Sequence, residues 1–305
     1  MTRLRIAVAP FHTESVDEAV RASGGLPVDG DARADGLVWL ASWDTPGLAR
    51  AIDVTDPRWI QLSSAGVERV AAAGLLSPGR MWTCAKGAFA EPVAEHALML
   101  TLAGLRMLPE RVAARSWGSP GGISLYDESV TILGGGGITA SLLELLRPFR
   151  VTATVVRRTT DPVPGAARTM PTDRLGEALA DAQVVFLALA LTPETERIIG
   201  AAQLAAMRTD SWLVNVARGR HIDTSALVAA LDEGTIAGAA LDVTDPEPLP
   251  DGHPLWTQPR CIITPHTADT LEMIERPLAR RIQENVARFA AGEPLAGVVD
   301  PVAGY

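Results

Sequence analysis

Short apolar runs alternate with helix-length segments along almost the whole chain, and this rhythm restricts the folds open to it. In the first third, the runs Arg5–Ala9, Gly36–Leu40, Trp59–Ser63 and Met81–Cys84 are separated by segments with helical patterns. Strands that alternate with helices are typical of βαβ units, which form a parallel sheet with helices on its faces. The 305 residues correspond to about two domains, at about 150 residues each.

A second series of the same kind follows the turn-rich segment at 118–122, which we interpret as a connection between domains. Before it, residues 91–116 predict a long helix with a kink or a second helix near Pro109. Because the second series already completes a sheet, we expect the last helix, at 273–291, to pack on the first domain. The pattern therefore predicts an α/β fold with two doubly wound parallel sheets.

The composition excludes several other classes of protein. Lysine and arginine number 27 against 36 acidic residues, a net charge of −9, and no basic tract exceeds two residues, so we expect no nucleic-acid partner. Two cysteines, Cys84 and Cys261, are too few for a disulfide framework or a cysteine-rich zinc site. The apolar stretch at 93–108 contains Glu95 and Arg106, which argues against a membrane span, and no signal peptide is evident. We therefore expect a cytoplasmic protein.

A glycine-rich turn lies between a predicted strand and a predicted helix. Gly134 and Gly136 match the first two positions of the G-x-G-x-x-G pattern, whereas Thr139 replaces the third glycine. Glycines at these positions permit a tight turn and let backbone N–H groups approach a pyrophosphate at the N-terminus of a helix, which Gly137 and Ile138 would open here. Four consecutive glycines can also form only a flexible turn, so the motif alone leaves both interpretations open.

The residues after the following strand bear on the choice of cofactor. An acidic residue about 20 positions beyond the turn would bind the ribose 2′-hydroxyl of NAD(H). This chain instead has Arg157, Arg158 and two threonines, and Asp161 comes too late. Two guanidinium groups suit a 2′-phosphate, so NADP(H) is favoured over NAD(H), which stays the alternative cofactor. The two arginines could also be only an exposed basic pair with no role in binding.

Four segments of the last third each follow a predicted strand, where an open parallel sheet binds its ligands. They are VNVARGR at 214–220, LDVTDPEPLP at 241–250, HPLW at 253–256 and TPHTA at 264–268. With LALTPET at 189–195, VAEHAL at 93–98 and the glycine turn, they resemble the D-isomer-specific 2-hydroxyacid dehydrogenase family in content and order.

The resemblance implies a Rossmann-type cofactor domain inserted into a flavodoxin-like substrate domain. On this basis we expect residues 1–99 and 271–305 to form the substrate domain, and residues 100–270 to form the dinucleotide-binding domain. It also implies a homodimer formed mainly through the cofactor domain, and residues 91–117 fit such a contact.

The family's catalytic trio has a counterpart at each position. Arg218 occupies the arginine of V-A-R-G, Glu247 the glutamate of E-P-L-P, and His266 the histidine of T-P-H. The guanidinium of Arg218 would bind and polarise a 2-keto acid, since its planar fork suits a carboxylate. His266 would act as general acid or base, because an imidazole titrates near neutral pH, and Glu247 would be its partner. Taken singly, each could instead be a structural or solvated side chain.

The resemblance assigns further residues to the site. Backbone N–H groups near Ala65 and Gly66 would bind the substrate carboxylate, unless they form only an ordinary turn. Asp242 would lie near the nicotinamide carboxamide, unless it only caps a helix or a turn. The other implied cofactor contacts are Leu189, Val216 and Ala217. His96 is expected to be structural, Trp43 and Trp256 could wall the pocket or fill the core, and no metal site is predicted.

The sequence therefore predicts a hydride-transferring oxidoreductase that acts with NADP(H) on a small 2-keto or 2-hydroxy acid of D configuration. Within the family, the chain resembles short glyoxylate or hydroxypyruvate reductases, and phosphite oxidation, an activity on the same trio, is an alternative. The alternative function from a different class is that of a dinucleotide-sensing binding protein, similar to the corepressors that share this fold.

Overall fold

The computed structural model describes residues 3–301, with the backbone alone at Leu271. The chain forms two units: residues 3–89 with 270–301 form the first, and Ala90–Asp269 form the second. The second unit is therefore inserted into the first. The predicted boundary at 99/100 lies within the helix Ala90–Leu105, which packs against other elements of the second unit and belongs to it as a whole.

The first unit is built on a sheet of five parallel strands in the order β2-β1-β3-β4-β5, which is the flavodoxin-like order. The strands are β1 (Arg5–Ala9), β2 (Leu26–Val28), β3 (Gly36–Trp39), β4 (Trp59–Leu62) and β5 (Met81–Thr83). The helices before the insertion are α1 (Glu14–Ala22), α2 (Thr45–Thr55) and α3 (Glu68–Ala72). Local signals place these helices: Asp44 caps α2 by accepting a hydrogen bond from the N–H of Gly47 at 2.8 Å.

The second unit contains seven parallel strands in the order β12-β11-β10-β9-β6-β7-β8. Its strands are β6 (Ser129–Leu133), β7 (Thr152–Arg157), β8 (Arg168–Pro171), β9 (Val184–Leu187), β10 (Trp212–Asn215), β11 (Gly238–Leu241) and β12 (Cys261–Ile263). Its helices are α4 (Ala90–Leu105), α5 (Leu108–Ala113), α6 (Gly137–Leu146), α7 (Leu175–Ala180), α8 (Ala201–Ala206), α9 (Thr224–Glu233) and α10 (Pro254–Thr257). Strands β6 to β11, the first six of this unit in the chain, are arranged as in a Rossmann fold, and the switch point lies between β6 and β9.

The last helix, α11 (Leu271–Ala291), returns to the first unit, where it packs against α1. Asn285 on α11 is fully buried and donates hydrogen bonds to the side-chain oxygen of Gln61 at 2.8 Å and to the carbonyl of Ala296 at 2.9 Å. Because a buried amide must find partners, these bonds fix α11 against β4. The expectation that the last helix packs on the first domain agrees with this arrangement.

The predicted fold class is confirmed, but two strands were missed. β2 and β8 are the edge strands of their sheets and are short, and each contains a proline. Proline weakens a strand pattern in a sequence but is tolerated at an edge. The expected break in the long helix occurs at Met107, whose φ is +54°, and Pro109 lies in the first turn of α5. No helix among residues 3–301 is long and apolar enough to cross a membrane.

Candidate active site

The glycine turn joins β6 to α6 at the carboxyl edge of the second sheet. Gly134 has a φ of +109°, and a side chain there would collide with the backbone carbonyl of Ala188, so this turn requires glycine. The space that a side chain of Gly136 would occupy is open to 4 Å. α6 then begins at Gly137 with no side-chain hydrogen bond at its N-cap. The start of this helix therefore offers backbone N–H groups to an anion.

Thr139, which replaces the third motif glycine, is fully buried in the first turn of α6. Its hydroxyl donates a hydrogen bond to the carbonyl of Gly134 at 2.8 Å. The threonine therefore ties the helix to the tight turn through a bond that glycine could not make.

The other predicted cofactor residues follow neighbouring strands at the same edge. Ile138 is half-buried in α6, Leu189 follows β9, and Val216 and Ala217 follow β10 and are buried. The sequence did not point to His221, a buried residue that joins two of these segments. Its Nε2 lies 3.2 Å from the carbonyl oxygen of Leu189, and its Nδ1 lies 3.0 Å from that of Thr195.

Arg157 and Arg158 lie at and just after the end of β7, beside the glycine turn. The Cδ of Arg157 is 3.1 Å from the position that a Cβ of Gly135 would take. The hydroxyl of Thr192 lowers the pKa of Glu194, and the positive charge of Arg158 contributes to that shift. Both arginines therefore border the switch point.

The loop after β10 presents Arg218 and is held by a residue that the sequence analysis did not single out. Asn215 is fully buried; its amide donates to the carbonyl of Arg218 at 2.9 Å, and its oxygen accepts the N–H of Ala217 at 3.0 Å. A side chain at Gly219 would collide with the carbonyl of Thr244, so the Arg218 loop lies directly against the loop that leads to Glu247.

Glu247 and His266 are brought together although they follow different strands. The Nδ1 of His266 lies 2.7 Å from the Oε1 of Glu247. Both side chains are more than 40% exposed, so the pair faces solvent. His266 has a φ of +50°, a left-handed conformation that is uncommon outside glycine and frequent at functional sites. With Nδ1–H donated to Glu247, the Nε2 of His266 is available to exchange a proton with a ligand.

Asp242 lies beneath the loop that carries His266 and is 2% exposed. One carboxylate oxygen accepts the hydroxyl of Thr264 at 2.6 Å and the N–H of Thr267 at 3.0 Å, and the other accepts the N–H of Ala268 at 3.2 Å. Burial raises the pKa of Asp242, but hydrogen bonds from His96, Thr264 and Thr267 outweigh it, so the pKa lies below its ordinary value. The carboxylate therefore makes its hydrogen bonds within the chain.

Asp269, three residues after His266, is a further acidic group that the sequence analysis did not single out. Burial raises its pKa above the ordinary value, and the negative charge of Asp242 acts in the same direction. The positive charges of His266 and Arg218 oppose this shift. Asp269 is therefore within electrostatic range of two members of the predicted trio.

Ala65 and Gly66 belong to the first unit and follow β4. The hydroxyl of Ser64 donates to the carbonyl of Gly66 at 2.6 Å, and the carbonyl of Ser64 accepts the N–H of Ala85 at 2.8 Å. No hydrogen bond within residues 3–301 uses the N–H of Ala65 or Gly66. The turn therefore has two backbone donors for a ligand.

The two tryptophans that the sequence placed either in a pocket wall or in the core lie at the surface. Trp43 is 65% exposed after β3, and Trp256 is half exposed and donates its indole N–H to the carbonyl of Pro250 at 3.0 Å. Within the described residues, no group of three or more histidine, cysteine, aspartate or glutamate side chains could hold a metal ion.

Comparisons with known proteins agree on one family. Residues 96–268 match the model of the D-isomer specific 2-hydroxyacid dehydrogenase, NAD binding domain. An uncharacterized protein of Corynebacterium melassecola is 39% identical over 99% of this chain and 100% of its own length. Glyoxylate/hydroxypyruvate reductase A of Photorhabdus laumondii is 33% identical over 69% of this chain and 68% of its own. The crystal structure of a D-isomer specific 2-hydroxyacid dehydrogenase from Xanthobacter autotrophicus, in complex with NADPH and MES, is 27% identical and covers both chains fully with a TM-score of 0.84.

Proposed function

This chain belongs to the D-isomer specific 2-hydroxyacid dehydrogenase family, and we propose that it uses NADP(H) to reduce a small 2-keto acid to the 2-hydroxy acid of D configuration. The observation that carries the proposal is the contact of 2.7 Å between His266 and Glu247 at the carboxyl edge of the second sheet. That edge also carries the glycine turn and Arg218.

The residues at this edge fit a dinucleotide. Gly134 lets the turn approach the neighbouring strand, the space at Gly136 is open, and the N-terminus of α6 suits a pyrophosphate. Arg157 and Arg158 would hold a 2′-phosphate, since guanidinium groups bind phosphate with charge-assisted hydrogen bonds. When bound, the reduced nicotinamide supplies a hydride to the carbonyl carbon of the substrate.

Arg218 binds the substrate in this proposal. Its planar fork can donate two parallel hydrogen bonds to the carboxylate and carbonyl oxygens of a 2-keto acid. The same positive charge stabilises the negative charge that develops on the carbonyl oxygen during reduction. Asn215 keeps the loop in place by bonding both Ala217 and Arg218. In the first unit, the backbone N–H groups of Ala65 and Gly66 are proposed donors to a carboxylate.

His266 supplies the proton. Glu247 accepts the Nδ1–H and stabilises the positive charge of the doubly protonated ring, so that Nε2–H can be donated to the carbonyl oxygen. Oxidation of the 2-hydroxy acid reverses this transfer, with neutral His266 as the base. Both groups are exposed, so the ring can exchange its proton with solvent between turnovers.

We expect the active protein to be a homodimer. Val112 and Trp117, on and just beyond α5, are 72% and 100% exposed, and apolar side chains at such exposure mark an interaction surface when they cluster. The molar mass in solution, measured by light scattering, tests this: a mass near 32.2 kDa would contradict it.

The proposed function is tested by incubating purified protein with NADPH or NADH and a series of 2-keto acids that begins with glyoxylate and hydroxypyruvate. NADPH consumption is followed by absorbance, and the configuration of the product by chiral chromatography. We expect turnover of at least one small acid, a higher kcat/KM with NADPH than with NADH, and a D product. Tight NADPH binding without turnover of any acid would instead support a dinucleotide-sensing protein.

A further inference from the structure

His96 and Thr264, both partly buried, form a hydrogen-bonded cluster with the buried Asp242 beneath the loop of His266. His96 lies on α4, Asp242 follows β11, and Thr264 follows β12. The Nε2 of His96 lies 2.9 Å from the Oγ1 of Thr264 and 3.2 Å from the Oδ1 of Asp242. The exposed fractions of the His96 and Asp242 side chains are 14% and 1%. The cluster therefore joins a helix to two strand ends.

The hydrogen bonds within the cluster fix the direction of each donor. The hydroxyl of Thr264 has a single proton, which the bond of 2.6 Å assigns to the carboxylate of Asp242. The oxygen of Thr264 must then accept the Nε2–H of His96. His96 is therefore a donor to the cluster, and its proton lies on Nε2.

The same aspartate holds the catalytic loop at His266 and at the two residues that follow it. Its carboxylate accepts the N–H groups of Thr267 and Ala268, and its backbone carbonyl accepts the N–H of His266 at 2.7 Å. A left-handed residue costs about 1–3 kcal/mol and persists only where its surroundings over-determine it. Asp242 provides that constraint for His266.

We infer that His96 and Asp242 are positioning residues, which act through Thr264 and the N–H groups of the loop to hold the imidazole of His266 in its catalytic orientation. Asp242, which the resemblance places beside the nicotinamide, then acts from beneath the loop. The expected effect on kcat rests on the proposed function, whereas the expected effect on the structure of the loop does not.

Two substitutions remove the donors with little change in volume. Thr264→Val deletes the hydroxyl that donates to Asp242, and His96→Leu deletes the imidazole N–H that faces the oxygens of Thr264 and Asp242. We expect faster hydrogen exchange at the amides of Thr267 and Ala268, measured by mass spectrometry of the peptide that spans them. We also expect kcat to fall by up to about 100-fold, since a small misplacement of a catalytic group has effects of that size. The KM for the keto acid and the Kd for NADPH should change little.

Matched variants separate positioning from general loss of stability. Thr264→Ser and His96→Gln keep a donor and should stay close to the wild type in exchange and kcat. Thr101→Val removes another buried hydroxyl of α4, which donates to the carbonyl of Ala97, and should leave the loop unchanged. Wild-type exchange in Thr264→Val and His96→Leu would overturn the inference, as would wild-type kcat in a protein that turns over a 2-keto acid. If no acid is turned over but exchange rises as expected, the proposed function fails and the inference stands.

Discussion

The Nδ1 of His266 and the Oε1 of Glu247 lie 2.7 Å apart, although 19 positions separate the two residues in the chain. This contact fixes which ring nitrogen faces the carboxylate and leaves the other for proton exchange. It depends on two loops that follow neighbouring strands, β11 and β12, so the sheet order determines the pair.

Replacing the carboxylate of Glu247 should weaken catalysis without removing the hydrogen bond. Glu247→Gln keeps an acceptor for Nδ1–H but loses the negative charge that stabilises the protonated ring. We expect kcat for keto-acid reduction to fall by about 10- to 100-fold, because general acid catalysis needs the protonated ring that the carboxylate stabilises. Kinetics across a pH series measure this, with Glu233→Gln as a control on the exposed end of α9. Equal activity of Glu247→Gln and the wild type at alkaline pH would contradict the role of the charge.

The two arginines after β7 should determine cofactor preference. Arg157→Ser combined with Arg158→Ser removes both guanidinium groups, and a hydrogen bond to a charged group contributes about 1.5–3 kcal/mol. We expect kcat/KM with NADPH to fall by at least about 10-fold and kcat/KM with NADH to change little. Arg147→Ser, at the opposite end of α6, is the matched control. A parallel decrease with both cofactors would show that the arginines do not recognise a 2′-phosphate.

Gly219 should be intolerant of a side chain. Gly219→Ala would force apart the loops that carry Arg218 and Thr244, and overpacking costs about 1–3 kcal/mol. We expect a lower melting temperature together with reduced kcat. Gly176→Ala in α7 is the matched control, because nothing lies within 4 Å of its added carbon, and alanine favours a helix by about 0.5–1 kcal/mol. Equal melting temperatures for Gly219→Ala and the wild type would refute the close approach of the two loops.

Asp269 should make stability depend on pH in a defined direction. Its folded-state pKa is raised, chiefly by burial, so the folded protein holds this proton more tightly than the unfolded chain does. Ionisation of Asp269 then destabilises the fold. This loss of stability is absent below the unfolded-state pKa of about 3.9 and is complete above the folded-state pKa. Asp269→Asn removes this cost, so its melting temperature should exceed that of the wild type at neutral pH, and the difference should vanish in acid. A lower melting temperature of Asp269→Asn at neutral pH is the opposite outcome; Asp251→Asn, in an exposed loop, is the control.

The fold could be predicted because it depends on patterns of local residues, and the pairing of Glu247 with His266 could be predicted because their motif segments resemble those of a known family. Buried apolar strands, the glycine turn and the motif segments are each visible over a few positions, and the parallel sheet brings the strand ends together. The edge strands β2 and β8 were missed because their stability comes from a paired neighbour rather than from their own short, proline-containing sequences.

The supporting residues could not be predicted for a related reason. His96 and Thr264 are separated by 168 positions, and Asn215 and His221 hold loops through backbone carbonyls, which carry no side-chain signal. Only the packed structure reveals these hydrogen bonds. The same applies to Asp269, whose pKa is raised by burial and by the negative charge of Asp242, against the opposing charges of His266 and Arg218.

The most direct test of the proposed function is the kcat for NADPH-dependent reduction of the best 2-keto acid by His266→Ala. The proposed mechanism predicts a fall of about 10²- to 10⁴-fold, the usual contribution of a general acid, with the Kd for NADPH unchanged. His253→Asn, which keeps a capping side chain before α10, should retain wild-type activity. A His266→Ala protein that turns over its substrate at the wild-type rate would contradict the assignment of His266 as the proton donor.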